Sequence, residues 1–194
     1  ISCHLGGSSS LAAIRRGESV ATSMGTSPQS GVLQNNRVGD FDPYVLPLVI
    51  ERTGESLKVV LEQLATQGGL LGISGISGDV RDLEQASAKG DVRATLALET
   101  FVSNIRQYLG WMLVELGGAD AIVFTGGIGE NSAAIRQAVC HGLEELGIVI
   151  DETCNAQAQG ESLVSGAESG IQVWVVPTHE ELIVAKQTYE VIAD

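Results

Sequence analysis

The apolar and polar positions divide the chain into a strand-rich beginning and a longer part in which helices alternate with strands. Short apolar runs between polar and glycine turns predict strands at 1–10, 11–16, 19–24, 121–124, 148–150 and 171–176. Apolar residues spaced three and four positions apart predict helices at 44–52, 56–66, 79–89, 91–116, 132–146 and 180–192. Hairpins followed by alternating helices and strands are typical of one α/β lobe with a mixed sheet.

The connections between these elements are marked by glycine and polar residues. Arg15-Arg16-Gly17-Glu18 predicts the tight turn of a β-hairpin. Residues 25–43 contain Gly, Pro, Ser and Asn with little periodicity and predict an ordered loop, and residues 154–170 are polar and irregular. We see no linker that would divide residues 1–194 into two domains.

The segment AIVFTGGIGENS, residues 121–132, has the pattern most suggestive of a ligand site. A β-branched run leads into Gly126, Gly127 and Gly129, and Asn131 and Ser132 then open a helix. Glycines let a ligand approach the backbone, and the free N–H groups of a helix start favour anionic groups. Buried strand-to-helix turns without a ligand look similar, so the pattern leaves both interpretations open.

The composition of the chain limits the classes of molecule that we expect it to bind. The formal net charge of −13 argues against nucleic acid and anionic membranes, although local Arg side chains and backbone N–H groups can still capture a nucleotide. Cys3, Cys140 and Cys154 lack CxxC spacing and are interpreted as reduced thiols of a cytoplasmic protein. No apolar run reaches the ~18 residues of a transmembrane helix. Because the chain does not begin with Met, we expect a piece of a longer protein.

Six segments together resemble one known family. ISCHLGG, TSMGTSPQSG, NNRVGDFDP, GISGISGDVRD, GGIGEN and VVPTHEEL occur in an order and wording similar to the acetate kinase (acetokinase) family of the actin-like ATPase and sugar kinase superfamily. The resemblance implies an actin-like (ribonuclease H-like) α/β lobe. It also implies that residues 1–194 are the C-terminal nucleotide-binding lobe of a homodimeric protein, without its N-terminal lobe and the start of this lobe.

The resemblance implies reversible phosphoryl transfer between ATP and acetate, giving ADP and acetyl phosphate, with Mg²⁺ or Mn²⁺. We expect the parent protein to be active and this chain alone to be inactive. Two alternatives stay open, namely a propionate or butyrate kinase and a non-catalytic actin-like module that binds nucleotide. A P-loop of the form GxxxxGK[ST] is absent from the sequence, which fits an actin-like nucleotide site.

The segment HLGGSSS is the candidate phosphate cradle. A glycine pair and three hydroxyls after a strand can donate several hydrogen bonds to phosphate oxygens, although a plain hairpin turn has the same composition. The resemblance implies that His4, Gly6, Gly7 and Ser8 lie at the nucleotide phosphates, with a buried structural role as the alternative for His4. The family has Asn and Gly where Gly7 and Ser8 stand here, and its Asn contacts the nucleotide phosphates.

Arg37, in NNRVGDFDP, is the candidate catalytic residue. A guanidinium stays charged and can bridge an acyl and a phosphoryl oxygen, whereas most single Arg residues lie on surfaces. The resemblance implies that Arg37 stabilises the phosphoryl group in flight. The preceding residues 34–36 replace a Met/Gly/Thr-like stretch of the family. We expect Asp40 and Asp42 to shape the turn and to cap the helix after Pro43, and not to bind metal.

The remaining candidates follow from the same resemblance. It implies that Glu180 belongs to the Mg²⁺ site, where capping of the last helix is the alternative role. It places two further segments along the nucleoside: Asp79, Val80 and Arg81, and Gly127, Ile128 and Asn131. The alternative for Arg81 is an ion pair with Glu84 on an exposed helix.

Overall fold

The strands come together in one mixed sheet. The computed structural model of the chain describes residues 1–193, leaving aside the side chains of Glu180 and Ala193. The strands are Ser2–Leu5 (β1), Ser9–Arg15 (β2), Glu18–Thr22 (β3), Ala121–Thr125 (β4), Ser162–Leu163 (β5) and Gln172–Val175 (β6). Their order is β3-β2-β1-β4-β6-β5, with β1, β4 and β6 parallel in the centre and the other pairings antiparallel. The predicted α/β fold with a mixed sheet is confirmed.

Alternating burial in the central strands explains why they form the core. One side chain in two is buried and its neighbours are half-buried, as the period of a strand requires. The buried residues of β1, β4 and β6 are Cys3, Leu5, Ile122, Phe124, Val173 and Val175.

Nine α-helices lie within the described residues. They are Val45–Thr53 (α1), Leu57–Thr66 (α2), Gly69–Ser74 (α3), Val80–Ala88 (α4), Val92–Leu116 (α5), Gly126–Asn131 (α6), Ala133–Cys140 (α7), Glu152–Gln157 (α8) and Glu180–Ala193 (α9). The long α5 starts at Asp91, whose carboxylate accepts from the N–H groups of Arg93 and Ala94, and ends at Gly117 with φ 74°. Its buried stripe packs into the core and consists of Ala94, Ala97, Phe101, Ile105, Leu109 and Met112.

The predicted hairpin turn is confirmed. Arg15 pairs with Glu18, and Arg16 and Gly17 both adopt left-handed backbone conformations, with φ 54° and 83°. These angles are those of a two-residue turn matched to the twist of an antiparallel pair. The helices predicted at 44–52, 56–66, 79–89 and 91–116 also form, within two residues of their predicted ends.

Some of the predicted ends of strands and helices are wrong. The strand predicted at 1–10 is interrupted by a turn at 6–8, after which β2 begins. The helix predicted at 132–146 ends at Cys140, because His141 leaves the helical conformation and Gly142 has φ 70°; a 3₁₀ turn, Glu144–Leu146, follows. The strand predicted at 148–150 is reduced to one bridge between Ile150 and Ser165.

Three short helices were not predicted. α3 lies in a stretch for which the sequence gives no secondary structure, α6 lies where a glycine turn is predicted, and α8 lies where irregular structure is expected. Each has only six residues, which is too short to show helical periodicity in a sequence. Within residues 1–193, no helix combines the length and apolarity needed to cross a membrane.

Candidate nucleotide site

Two glycine turns meet at one edge of the sheet. β1 and β4 run parallel, so the turn at 6–8 and the start of α6 leave the sheet at the same carboxyl edge. A Cβ added to Gly126 would lie 2.7 Å from the Leu5 carbonyl oxygen, and one added to Gly6 would lie 3.9 Å from the Gly127 nitrogen. Gly126 also has φ 76°, so close approach and backbone conformation both require glycine there.

A cavity of about 590 Å³ lies between these turns and the start of α4. Eight of the ten residues predicted to bind nucleotide line it: Gly6, Gly7, Asp79, Val80, Arg81, Gly127, Ile128 and Asn131. Asn35, Glu84 and Ser132 complete the wall. The structure therefore brings together residues from four segments that are far apart in sequence.

The two other predicted nucleotide residues lie beside the cavity wall. A Cβ added to Gly126 would lie 3.2 Å from His4 Cε1, so the half-buried imidazole packs against the start of α6. Ser8 is exposed at the end of the turn and accepts a hydrogen bond from Arg37.

Arg81 pairs with the residue that caps its own helix. Asp79 accepts from the backbone N–H of Arg81 at 2.9 Å, and its carboxylate binds the guanidinium through Nε at 3.0 Å and Nη2 at 2.6 Å. These bonds hold the pKa of the Asp79 carboxyl below its usual value. The alternative pairing with Glu84 is wrong, because Glu84 accepts instead from Ser132 Oγ at 2.6 Å.

Glu130 joins the GGIGEN segment to the stretch before α9. Its Oε1 accepts from Gly126 N at 3.0 Å, Thr178 N at 3.0 Å and Thr178 Oγ1 at 3.1 Å. The first N–H of α6 is therefore already occupied. The start of α7 is occupied as well, since Ser132 Oγ accepts from Ile135 N at 3.1 Å. The anion-binding helix start expected at 131–132 is thus capped by the chain itself.

A buried arginine fixes the other end of α6. Arg136 is 1% exposed, and it donates to the carbonyl oxygens of Gly129 and Glu130, each at 2.9 Å. It also donates to the side-chain and backbone oxygens of Asn155, each at 2.7 Å. Burial lowers the pKa of this guanidinium, and four oxygens compensate its charge. Sequence reasoning missed Arg136, whose place in an amphipathic helix gave no signal.

Arg37 reaches the turn at residues 6–8. Its Nη1 donates to Ser8 Oγ at 2.8 Å and to Gln34 Oε1 at 3.1 Å, while none of the hydrogen bonds among the described residues uses Nε or Nη2. The side chain is half-buried, which is not the exposed surface position that most single Arg residues occupy. The Arg37 guanidinium therefore lies beside Ser8, and its Nε and Nη2 remain able to donate to a ligand.

The loop that carries Arg37 is docked on the start of α3. The carbonyl oxygens of residues 34, 35 and 36 accept from Leu70 N, Leu71 N and Gly68 N at 2.9, 2.9 and 3.0 Å. A Cβ added to Gly69 would lie 2.0 Å from the Gln34 carbonyl oxygen, so only glycine allows this contact. The first turn of a helix thus fixes the loop backbone in place.

Asp40 and Asp42 shape the loop as predicted, but neither caps α1, because its N-cap residue is Tyr44 and receives no side-chain capping bond. Asp40 Oδ1 accepts from Gly31 N at 2.7 Å, and Oδ2 forms a very short hydrogen bond with the Tyr108 hydroxyl. Burial and the Asp40 carboxylate raise the pKa of Tyr108. Asp42 Oδ1 accepts from Tyr44 N at 2.9 Å, just before α1.

The side chain of Glu180, the predicted metal ligand, lies outside the described residues, so its role stays a prediction. Elsewhere in residues 1–193, no three His, Cys, Asp or Glu side chains cluster closely enough to hold a metal ion. The residues that the structure describes therefore provide no metal centre of their own.

The fold and the position of the cleft define the class of protein, an α/β lobe of the actin-like type. A sequence model described as "Acetokinase family" matches residues 1–186. The chain belongs to the acetokinase family.

Named relatives agree with this assignment. The chain is 45% identical to the acetate kinase of Heliobacterium modesticaldum over 192 residues, which are 99% of the chain and 48% of that protein. It is 47% identical to the acetate kinase of Methanosarcina barkeri over 192 residues, 99% of the chain and 47% of that protein. The chain spans about half the length of the curated relatives it matches.

Solved structures share the fold over nearly the whole chain. The acetate kinase of Porphyromonas gingivalis superposes with a TM-score of 0.92 at 38% identity, covering 98% of this chain and 48% of that one. A propionate kinase from Francisella tularensis gives 0.88 at 36% identity, covering 95% and 47%. The expected α/β lobe of the actin-like type is thereby confirmed as the fold.

Proposed function

We propose that the chain is the C-terminal, nucleotide-binding lobe of a kinase that moves a phosphoryl group reversibly between ATP and acetate, giving ADP and acetyl phosphate. The observation that carries this proposal is the hydrogen bond between Arg37 and Ser8. It puts a guanidinium at the end of the glycine turn, beside a cavity lined by the predicted nucleotide residues. Family membership and relatives named acetate kinase support the same reaction.

The proposed site divides into a phosphate end and a nucleoside end. His4, Gly6, Gly7 and Ser8 surround the phosphates, near the Arg37 guanidinium. At the other end, Asp79, Val80 and Arg81 face Gly127, Ile128 and Asn131 across the cavity and receive ribose and base. The bidentate bond to Asp79 holds the Arg81 guanidinium plane at the cavity mouth, where a base can stack on it.

Arg37 acts on the group being transferred. In the forward direction an acetate oxygen forms a bond to the γ-phosphorus while the bond to the ADP oxygen breaks. Negative charge spreads over the equatorial phosphoryl oxygens in this transition state. Nε and Nη2 of Arg37 donate to those oxygens, while Nη1 stays anchored to Ser8 and Gln34.

Mg²⁺ or Mn²⁺ belongs to the proposal as the companion of the nucleotide phosphates, whose charge it neutralises. Glu180 as its ligand stays a prediction, and the described residues add no metal cluster. We further propose that the chain alone does not sustain turnover and that the parent protein is a cytoplasmic homodimer, without nucleic acid or membrane partners.

A propionate or butyrate kinase is the nearest alternative, and the propionate kinase of Francisella tularensis has nearly the same fold. Measuring kcat/KM of the full-length parent protein on acetate, propionate and butyrate separates these substrates. We expect the highest value for acetate. A higher value for either longer acid would contradict that assignment, while the phosphotransferase proposal would stand.

Arg37→Ala tests the kinase against the non-catalytic module. In the parent protein we expect kcat to fall by about three orders of magnitude or more, because the transition-state charge loses its cation. The nucleotide KM should stay within about threefold, since Arg37 contacts the transferred group. The kcat of Arg37→Lys should fall nearly as far, because an ammonium group lacks the planar, forked geometry of a guanidinium. Arg52→Ala, at an exposed position of α1, is the matched control. Unchanged turnover in Arg37→Ala would overturn the kinase proposal.

A further inference from the structure

Asn35 contributes a polar side chain to the cavity wall. It lies two residues before Arg37 and lines the same cavity as Gly6, Gly7 and Gly127. Its Oδ1 is buried and has no hydrogen-bond partner among the described residues. Oδ1 is an acceptor and cannot bind an anionic oxygen, whereas the NH₂ group of the same amide can donate to one.

The amide of Asn35 lies next to the glycine turn. A Cβ added to Gly7 would lie 3.9 Å from Asn35 Nδ2, and no other atom comes within 4 Å of that position. The NH₂ group of Asn35 therefore lies at van der Waals distance from the place where the Cβ of a larger residue 7 would stand. Gly7 leaves this space open, and the Asn35 amide borders it.

The backbone of Asn35 is held firmly. Its carbonyl oxygen accepts from Leu71 N at 2.9 Å, and a Cβ added to Gly78 would lie 2.6 Å from that oxygen and 3.2 Å from the Asn35 Cβ. These contacts fix the backbone of Asn35, while its side-chain amide forms no hydrogen bond within the described residues. Such pre-organisation lowers the entropy lost when a ligand binds.

The groups around this point are mostly donors. None of the backbone hydrogen bonds among the described residues uses the N–H of Gly7 or Ser8, and Arg37 has two open donors at the same turn. The NH₂ of Asn35 adds a neutral donor to this set. A ligand with several anionic oxygens complements it best.

From these contacts we infer that the side-chain amide of Asn35 binds a phosphate group of the nucleotide, in the space that Gly7 leaves open. The inference rests on the proposed nucleotide site and adds a ligand to it. Asn35 and Arg37 then approach the phosphates from one docked loop, so the start of α3 positions both.

The test compares ADP with adenosine, titrated calorimetrically into the 194-residue chain. We expect Asn35→Ala to weaken ADP binding about tenfold, the value of a hydrogen bond to a charged group, and to leave adenosine binding unchanged. Asn36→Ala is the matched control, because Asn36 is exposed on the same loop. The melting temperature of Asn35→Ala should stay equal or rise, since no protein hydrogen bond is lost.

The outcomes separate the two proposals. ADP binding that is equally strong in wild type, Asn35→Ala and Asn36→Ala would overturn the inference alone. A folded wild-type chain that binds neither ADP nor adenosine would overturn the proposed nucleotide site, and the inference with it. Equal weakening of ADP and adenosine binding would assign Asn35 a structural role and also overturn the inference.

A swap of the two residues tests the geometry. Gly7→Asn combined with Asn35→Gly moves the amide to the opposite side of the same space. We expect this double variant to recover ADP affinity to within about threefold of wild type, whereas Asn35→Gly alone stays about tenfold weaker. A double variant as weak as Asn35→Gly, with normal adenosine binding, would contradict the shared contact.

Discussion

Single residues connect segments of the site that the sequence shows only as separate motifs. Glu130 is the clearest example, because one carboxylate oxygen accepts hydrogen bonds from the start of α6 and from Thr178. Its only sequence signal was its place within GGIGEN. Asn35 gave a comparable signal, a departure from the family pattern beside Arg37. A sequence alone could not give the distances that connect either residue to its partners.

Glu130→Ala tests this connection at the scale of one residue. The variant frees the N–H of Gly126 and both donors of Thr178, so we expect the free energy of unfolding to fall by about 1–3 kcal/mol. Urea denaturation of the chain measures the change. Glu115→Ala, at an exposed position of α5 whose side chain forms none of the hydrogen bonds found among residues 1–193, serves as control. Equal stability of the two variants would show that Glu130 does not connect these segments.

At the scale of elements, long helices and central strands were predictable and short ones were not. α5 is bounded by an Asp cap and a left-handed Gly, and its apolar spacing repeats over 25 residues. α6 has six residues and forms through contacts from outside it: Thr178 donates to Glu130, and Arg136 donates to the carbonyl oxygens of Gly129 and Glu130. Tertiary contacts of this kind override the local preference of three glycines for a turn.

Arg136 tests how far α6 depends on its neighbours. Arg136→Lys keeps the charge but cannot reach four oxygens, so we expect the chain to lose about 1–3 kcal/mol of stability to unpaired carbonyl groups. Urea denaturation provides the measurement, with Arg52→Lys on the exposed surface of α1 as the control. If the buried and exposed lysine variants unfold at the same urea concentration, Arg136 does not stabilise α6.

At the scale of the whole molecule, overall charge and local charge differ. The chain carries 24 acidic and 11 basic residues, yet Arg37 and Arg81 both lie at the proposed site. Asp79 neutralises Arg81, whereas Arg37 contacts only hydroxyl and amide oxygens in the described structure. An acidic protein can therefore offer one uncompensated cation where a phosphate is expected. Six sequence motifs predicted the family and the fold. Which charges surround Arg37 and Arg81 could be learned only from the structure.

The central claim is that the cavity beside GGIGEN binds the nucleotide, and Gly127 offers the most direct test. A Cβ on Gly127 meets no atom within 4 Å, so a larger side chain there fills the cavity without disturbing the fold. Gly110 in α5 has equally open surroundings and does not line the cavity. Gly127→Val and Gly110→Val therefore form a matched pair.

The measurement is calorimetric titration of Mg·ADP into the wild-type chain and these two variants. We predict micromolar to millimolar binding by the wild type and by Gly110→Val, and loss of binding in Gly127→Val. Equal binding by Gly127→Val would contradict the account, as would a folded wild-type chain that does not bind Mg·ADP.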